Sequence, residues 1–308
     1  MDSAVTDVSV IIVNWNTKEM LAQCLRSVYE TKKECGLQVI VVDNGSSDGS
    51  AQMIREGFPQ VTLIQNSENF GHARANNQGI KASASDLILL LNSDCVVLEG
   101  SIAAMVALMR QNPSIGALSA QSLNPDRTLQ YPCRRFPTLA TVLLDDTCLG
   151  WWFPNNRPMY RYRYRDWAQD DFRQVEQPPL TCLMVRRKVF ERIGFFDESF
   201  FLYFNDPDFC FRMTRAGFES FYTPDARVIH YGGASIRNFS DAAYNWQAGR
   251  IRYYAKHFGL YAVLYIKAVL LLDSLIRLAK LGVKIVLGKA NAGEMIDYLR
   301  FTGRVLGA

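Results

Sequence analysis

Two aspartates in this sequence stand where a strongly apolar run gives way to turn residues. Residues 39–50 read VIVVDNGSSDGS and contain Asp43, and residues 87–95 read LILLLNSDC and contain Asn92 and Asp94. Carboxylates suit Mg²⁺ or Mn²⁺, which proteins usually hold through one or two carboxylates together with substrate phosphates. Each stretch on its own is also ordinary turn chemistry. Two such stretches at the ends of predicted strands favour a metal or phosphate site.

The elements that would position these aspartates alternate between strands and helices over the first 120 residues. Apolar runs typical of strands lie at 8–13, 37–42, 61–65, 86–91 and 115–119, and helical spacing occurs at 18–31, 49–57, 71–83 and 99–111. Continuous apolar runs indicate strands covered on both faces, so we predict an α/β fold with a mainly parallel, doubly wound sheet. Ligands bind beyond the carboxyl ends of the strands in such sheets, which is where both aspartates fall.

Composition narrows the class of protein. The chain has 308 residues, is 49% hydrophobic and carries a net charge of +4, which allows one large domain with an appendage and makes no case for nucleic acid. Its seven cysteines are never spaced CxxC, which predicts reduced thiols in a cytoplasmic protein. The N-terminal residues 1–13 do not read as a signal peptide. Because no run of about 18 uncharged apolar residues occurs, we expect no ordinary transmembrane helix.

The positive charge is concentrated at the C-terminal end. Residues 251–308 contain nine Lys or Arg and three acidic residues, a net charge of +6. Within 259–288, Asp273, Arg277, Lys280 and Lys284 fall on one helix face, and apolar residues cover much of the remainder. Such a helix could pack on the rest of the protein or support a homo-oligomer. The charge excess favours an interfacial helix on an anionic membrane surface, at the cytoplasmic face.

Residues 121–179 differ from their surroundings because they are rich in proline and weakly periodic. They include RYRYRDW at 161–167. Arginine interleaved with tyrosine can grip single-stranded nucleic acid, but no RNA-binding signature accompanies it. We interpret this stretch as a loop at the binding site whose arginines meet a diphosphate, such as that of a lipid-linked ligand.

Six motifs, taken in order, resemble the inverting glycosyltransferases of family 2, which have the GT-A fold, in their rhamnosyltransferase-like branch. The motifs are SVIIVNWNTKEMLAQCLRSV, VIVVDNGSSDGS, NFGHARANNQGI, LLLNSDCVV, FFDESFFLYFNDPDFCFRMTRAGF and ARVIHYGGAS. The resemblance covers roughly residues 7–258. It implies a nucleotide-sugar-binding half at 1–120 and an acceptor-binding half with the catalytic base at 121–258. Residues 259–308 would form a helical appendage.

The resemblance also implies a donor site. Its members would be Val13, Trp15, Asp43, Asn69, Gly71, Asn77, Asn92 and Asp94. Trp15 would lie flat against a pyrimidine whose N3–H is accepted by Asp43, and since uracil and thymine share that donor, UDP and dTDP both remain open. Asp94 would bind Mg²⁺ or Mn²⁺. Asn92 replaces the first aspartate of the family's DxD motif and brings one negative charge fewer.

Asp206, in FNDPDF, matches the general base of the family, with Asn205 in place of the usual glutamate. It would take the proton of the acceptor hydroxyl during a single inverting displacement. Asp206-Pro207-Asp208 also has the pattern of a helix start with Asp206 as the N-cap. The two aspartates point in different directions on a helix, and we assign Asp206 to the cleft.

Three histidines occur in the chain, at 72, 230 and 257. A histidine after a strand is often structural, but the resemblance implies that His230 contacts the metal or the diphosphate. His72 and His257 receive no role from the sequence.

The leading prediction is a metal-dependent inverting glycosyltransferase. It would move L-rhamnose from dTDP-L-rhamnose onto a lipid-linked or cell-surface glycan, such as an O-antigen or capsular polysaccharide, from a peripheral position on the inner face of the cell membrane. A sugar-1-phosphate nucleotidylyltransferase would need a glycine-rich loop after the first strand, and VNWNTKE at 13–19 has no glycine. A catalytically degenerate glycan- or membrane-binding module is left open by Asn92 and Asn205.

Overall fold

The computed structural model describes residues 7–30, 35–145, 147–233 and 241–308. Residues 1–6, which belong to the stretch read for a signal peptide, lie outside the described residues, as do residues 234 and 235 at the end of the sixth motif.

The described residues form nine strands and eleven helices. The strands are β1 Val8–Asn14, β2 Leu37–Asp43, β3 Thr62–Gln65, β4 Leu87–Asn92, β5 Cys95–Val97, β6 Ile115–Leu123, β7 Arg173–Gln174, β8 Cys182–Arg186 and β9 Glu219–His230. The helices are α1 Lys18–Glu30, α2 Ser50–Gly57, α3 His72–Ala82, α4 Ser101–Gln111, α5 Leu139–Leu144, α6 Cys148–Trp152, α7 Arg157–Tyr162, α8 Arg187–Ile193, α9 Asn205–Arg215, α10 Ala242–Val286 and α11 Ala292–Gly307.

The strands belong to one mixed sheet in the order β3-β2-β1-β4-β8-β6-β9-β5, with β7 paired to β9. β1 runs parallel to both β2 and β4, and β2 runs parallel to β3. Beyond β4 the sheet becomes mixed, because β8 is antiparallel to β4 and β6, whereas β6 and β9 are parallel. The predicted α/β fold is confirmed, and its first four strands are all parallel.

Alternate residues of β1 enter two different cores, as expected for a strand covered on both faces. Ile12 packs into one core with Leu25 of α1, and Ile11 packs into the other with Ile80 of α3; all four are fully or almost fully buried. Burial of each such side chain stabilises the fold by about 1.5–3 kcal/mol. At Gly79 of α3 an added Cβ would lie 2.4 Å from Ile11, so only glycine lets this helix approach the sheet so closely.

The register of the parallel strands brings the predicted site residues to one level. Asn14 at the end of β1 lies opposite Asp43 of β2, and Val13 lies opposite Asn92 of β4. The carboxyl ends of three adjacent strands therefore meet at the same edge of the sheet.

The chain divides into two compact units. The first comprises Met1–Arg134 and Trp167–Ser240 and contains the sheet; the second comprises Arg135–Asp166 and Asp241–Ala308 and is helical where it is described. The predicted functional boundaries at residues 120 and 258 stay a prediction.

The long helix of the second unit, α10, changes direction at Gly259, which has φ 78°. By length and composition alone α10 could cross a membrane, and 28% of its most apolar stretch is buried within the protein. Length and composition alone do not establish a membrane span. The expectation of no ordinary transmembrane helix, which rested on the lack of a run without any charge, therefore stays a prediction.

Candidate active site

A buried chain of hydrogen bonds joins the ends of β2, β1 and β4. The side-chain amide of Asn14 donates to Asp43 Oδ1 over 2.9 Å, and its oxygen accepts from Thr17 Oγ1 over 2.7 Å. Thr17 Oγ1 also lies 2.9 Å from Ser93 Oγ, next to Asp94 in the chain. The two acidic strand ends are thus physically connected. Sequence reasoning missed Asn14, Thr17 and Ser93, since only their contacts with distant residues reveal their role.

Asp43 is fully buried and engaged by the protein itself. Besides its bond from Asn14, its Oδ2 accepts from the backbone N–H of Ser46 over 3.3 Å. Val13 and Trp15 lie partly buried at the end of the neighbouring strand.

The loop around Asn69 and Gly71, the predicted wall of the donor site, is held in place by hydrogen bonds to the side chain of Asn44. The Asn44 amide donates to Asn69 Oδ1 over 2.7 Å and accepts from the backbone N–H of Phe70 over 3.1 Å. Gly71 has φ 84°, and a Cβ there would lie 2.6 Å from the carbonyl oxygen of Phe201. The wall therefore requires glycine at this position for both conformation and space.

Asn77 lies inside the protein, only 2% exposed. Its amide donates to the carbonyl of Phe196 over 2.9 Å and to Glu198 over 3.0 Å, and its oxygen accepts from the Phe196 N–H over 3.0 Å. These bonds link α3 to the segment that leads into α9. The assignment of Asn77 to the donor wall stays a prediction.

Asp94 and His230 come together at a candidate cation site. His230 Nε2 lies 3.5 Å from Asp94 Oδ1, and one ligand atom each of Asp94, Cys95 and His230 lies within 4.8 Å of the others. Cys95 is a poor ligand, because burial raises the pKa of its thiol well above its usual value and its Sγ faces the carbonyl of Thr181. Asn92 lies partly buried at the end of β4.

Gln130 fixes the orientation of the His230 ring. Its Nε2 donates to the backbone carbonyl of His230 over 2.8 Å, and its Oε1 lies 3.1 Å from His230 Nδ1. The carbonyl oxygen can only accept, so Nδ1 carries the proton. Nε2, 3.5 Å from Asp94 Oδ1, is then the ring nitrogen that could bind a metal ion. A carboxylate and an oriented imidazole fit a divalent cation that keeps its other positions for phosphate oxygens and water.

Asp206 lies in the first turn of α9, but it is not the N-cap. The N-cap is Phe204, which has φ 66° and makes no side-chain capping bond, and α9 begins at Asn205. The interpretation of Asp206 as a capping residue is therefore wrong. Asp208 is fully buried and its carboxylate accepts from Arg212 Nε over 2.9 Å, so it serves an internal ion pair.

The environment of Asp206 makes it a stronger base than an ordinary aspartate. Although the residue stays partly exposed, desolvation by the surrounding protein raises its pKa to about 6. A hydrogen bond from Gln177 and the charge of Arg134 oppose this rise and keep the ionised form accessible. Arg134 and Gln177 are held together by two backbone hydrogen bonds of 3.1 Å. A carboxylate with a pKa near 6 is suited to general base catalysis close to neutral pH.

The candidate cation site and the candidate base are joined by one short segment. Gln130 contacts His230 at its start, and Arg134 acts on Asp206 at its end. Four steps of about 3.8 Å limit the separation of the Gln130 and Arg134 Cα atoms to about 15 Å. Sequence reasoning placed no site residue in this proline-rich segment, because neither residue belongs to a recognisable motif.

His72, which received no role from the sequence, lies beside the residue that precedes Asp206. Its Nδ1 is 2.9 Å from Asn205 Nδ2. Burial lowers the pKa of His72 to about 4, so the ring is neutral at neutral pH.

In the second unit, α10 exposes an apolar stripe after Gly259. Its exposed members are Leu260, Tyr261, Leu264, Leu271, Leu272, Leu275, Val283 and Val286. At about 100° per residue they fall within one arc of roughly 140°, and 1.5 Å per residue gives the stripe a length of about 40 Å. A continuous exposed apolar surface of this size marks an interaction site.

Three further aromatic residues of this unit, Trp151, Trp152 and Phe153, are 57–62% exposed. Arg277 stacks over Trp151 at 4.6 Å and Lys280 lies 5.1 Å from the ring of Trp152.

The second unit is strongly basic. It comprises residues 135–166 and 241–308, which include 15 basic and seven acidic residues, a net charge of +8. The rest of the chain therefore has a net charge of −4.

Comparison with known proteins identifies the family. Residues 9–194 match glycosyl transferase family 2. The chain is 30% identical over 238 residues to the N-acetylglucosaminyl-diphospho-decaprenol L-rhamnosyltransferase of Mycobacterium tuberculosis, covering 73% of this chain and 76% of that protein. It is 23% identical over 264 residues to the rhamnosyltransferase WbbL of Escherichia coli, covering 81% and 93%.

Among solved structures, a mannosyltransferase from Pyrobaculum calidifontis in complex with GDP-Man and Mn²⁺ has a similar fold. The TM-score is 0.52 at 16% sequence identity, over 99% of this chain and 88% of that one. This likeness confirms the GT-A fold.

We predict that Asp94→Asn lowers the affinity for Mn²⁺ at least tenfold, because it removes the carboxylate of the cation site. Electron paramagnetic resonance of free Mn²⁺, with dTDP present, measures the change. Gln130→Leu should also weaken binding, by about 10–100-fold, since the ligand ring loses its support. Asp126→Asn, at an exposed turn, is the control. Unchanged Mn²⁺ binding by Asp94→Asn would rule out this site.

We predict that Asp206→Asn raises the melting temperature at pH 8. The raised pKa means that the folded protein favours the protonated carboxyl: its ionisation costs nothing below about pH 4 and destabilises the fold as the pH rises through 6. The neutral amide removes a cost of about 1–3 kcal/mol at pH 8.

The gain should shrink at pH 4.5, as measured by thermal unfolding at both pH values. Asp208→Asn is the matched control and should destabilise at pH 8, because it leaves Arg212 without its buried partner. A lower melting temperature of Asp206→Asn at pH 8 would contradict the view that the ionised Asp206 carboxylate destabilises the fold.

Proposed function

The chain belongs to glycosyl transferase family 2 and is a glycosyltransferase, and we propose that it transfers L-rhamnose from dTDP-L-rhamnose to a lipid-linked or cell-surface glycan with inversion. The observation that carries the mechanism is the pairing, in one unit, of a candidate cation site at Asp94 and His230 with a base at Asp206 whose pKa is raised to about 6. The choice of sugar is supported by the two rhamnosyltransferase relatives.

On the donor side, Asp94 and His230 would hold Mg²⁺ or Mn²⁺. A bound divalent cation neutralises the charge that develops on the leaving nucleoside diphosphate, worth several kcal/mol. Asp43 would read the N3–H of thymine or uracil. The wall at Asn69 and Gly71, just before α3, would border the bound donor.

On the acceptor side, Asp206 would accept the proton of the attacking hydroxyl. The oxygen attacks the anomeric carbon from the face opposite the diphosphate, and one displacement inverts the configuration. General base catalysis of this kind contributes about 10²–10⁴-fold to the rate. Gln177 and Arg134 would steady the carboxylate, and their partial compensation of its desolvation keeps it ionised above pH 6.

Neither alternative function is favoured by an observation. For a nucleotidylyltransferase, the turn after β1 would have to cradle a triphosphate, whereas Asn16 in that turn binds Ser46 and Ser47 through its own backbone and side chain. A degenerate binding module would not need an oriented His230 ring or an Asp206 carboxyl with a raised pKa. Asn92 and Asn205 alone do not support the module.

The second unit supports a peripheral position on the inner face of the cell membrane. The exposed stripe of α10 would lie in the interface with its apolar face among the acyl chains, and the excess of +8 would be attracted to anionic lipid. Trp151 and Trp152 are the residue type that prefers the headgroup level. A lipid-diphosphate acceptor would then be presented at the surface to which the enzyme is bound.

We predict that Asp206→Asn lowers the rate of transfer at least 10³-fold and leaves dTDP affinity within twofold, because the base touches the acceptor and not the nucleotide. The assay is transfer from dTDP-L-rhamnose to a polyprenyl-diphosphate-linked N-acetylglucosamine, with the anomeric configuration read by NMR. The wild-type rate should fall as the pH drops below 6. Full activity of the variant would show that another group is the base, and a retained configuration would exclude the single displacement.

We predict that the full chain co-sediments with vesicles containing phosphatidylglycerol and much less with pure phosphatidylcholine, and that 0.5 M NaCl weakens binding. The double variant Trp151→Ser/Trp152→Ser and the single variant Leu272→Glu should each reduce binding at least tenfold. Phe172→Ser, an exposed aromatic residue of the first unit, is the control. Dimerisation through the stripe, seen by analytical ultracentrifugation together with no vesicle binding, would assign the surface to a second copy of the chain.

A further inference from the structure

Two helices that carry site residues both begin without a side-chain cap. α3 follows Gly71, with φ 84°, and α9 follows Phe204, with φ 66°. In neither helix does the N-cap side chain bind the first free N–H groups, although capping is worth about 1 kcal/mol. Something other than capping must fix where these two helices start.

The starts of the two helices are fixed by each other. The backbone N–H of His72, the first residue of α3, donates to the carbonyl of Phe201 over 2.7 Å. The side chain of Asn205, the first residue of α9, lies with Nδ2 2.9 Å from His72 Nδ1. Asn205 is only 3% exposed, so this contact lies in the interior.

The chemistry of the pair sets the state of the ring. An amide N–H can only donate, so His72 Nδ1 accepts in this contact and the imidazole is neutral. The amide of Asn76, which donates to the His72 carbonyl over 2.9 Å, also lies 3.3 Å from Nδ1 and 3.2 Å from Nε2. The absence of a charge agrees with the lowered pKa of His72, about 4, which burial causes. Protonation would place two donors face to face.

The contact joins the two sides of the reaction. His72 directly follows Gly71 of the donor wall, and Asn205 directly precedes the base Asp206. We propose that His72 is a positioning residue, which holds Asn205 through its neutral imidazole and so keeps Asp206 at the correct distance from the donor. This inference rests on the proposed function. It gives Asn205, which stands where the motif would place an acid, a role as the partner of His72.

The test compares two substitutions at position 72. His72→Phe keeps the ring and removes the acceptor, whereas His72→Asn can present an oxygen close to the position of Nδ1. We expect His72→Phe to lower kcat about 10–100-fold, the effect of a misplaced catalytic group, while dTDP affinity changes less than twofold. His72→Asn should recover kcat to within about fivefold of the wild type. Lys81→Ala, exposed at the other end of α3, should leave kcat unchanged.

A double-substitution cycle adds a readout that does not depend on folding alone. If the pair acts as one unit, His72→Phe/Asn205→Leu should have the same kcat as Asn205→Leu, and the losses in melting temperature should not add. Equal kcat in His72→Phe and the wild type would overturn the proposal, as would equal losses in His72→Phe and His72→Asn. A wild type that transfers no sugar would instead refute the proposed function, and non-additive melting temperatures would still establish the pair.

Discussion

The site depends on the buried hydrogen-bond chain from Asp43 through Asn14 and Thr17 to Ser93. Parallel strands bring their carboxyl ends to one edge of a sheet, but pairing alone does not decide where the side chains beyond the last backbone bond will point. A buried polar group costs about 1–3 kcal/mol when it lacks a partner, so each member of the chain constrains the next. The turn after β4, and with it Asp94, is therefore held by contacts that begin two strands away.

The surroundings of Asp206 likewise depend on contacts between distant parts of the chain. Asp206 is more basic than an ordinary aspartate because the protein removes water from its surroundings and so raises its pKa. Gln177 and Arg134 favour the charged form and limit this rise. Asp208, two residues further, is fully buried and forms an ion pair with Arg212. One carboxylate of this turn thus serves an internal ion pair, and the other, Asp206, stays partly exposed with a raised pKa, a combination that marks candidate functional residues.

Much of the fold could be predicted from the sequence, because each element has its own local pattern. β1, β2, β4 and the helices between them were expected within one or two residues of their bounds, since their apolar runs are continuous and their turns contain glycine or asparagine. β5, with three residues, has too little sequence to show a period. The prediction of Asp206 as the N-cap failed for a different reason. Its pattern is correct for a helix start, but Phe204 adopts a left-handed conformation and is the N-cap, so α9 begins two residues earlier than the pattern implies.

The candidate site was predictable only where a motif marked it. Asp94, His230 and Asp206 each match a functional position in a motif of the family, whereas Gln130, Arg134, Gln177 and His72 do not. The roles of these four come from partners about 30 to 130 residues away in the chain. A glutamine or histidine has no preferred local structure that would announce such a contact. What distinguishes His72 is a neutral ring placed against an amide donor, and this depends on burial, which the sequence around it does not encode. Residues that hold catalytic groups in place are for this reason the part of an active site that requires the folded structure.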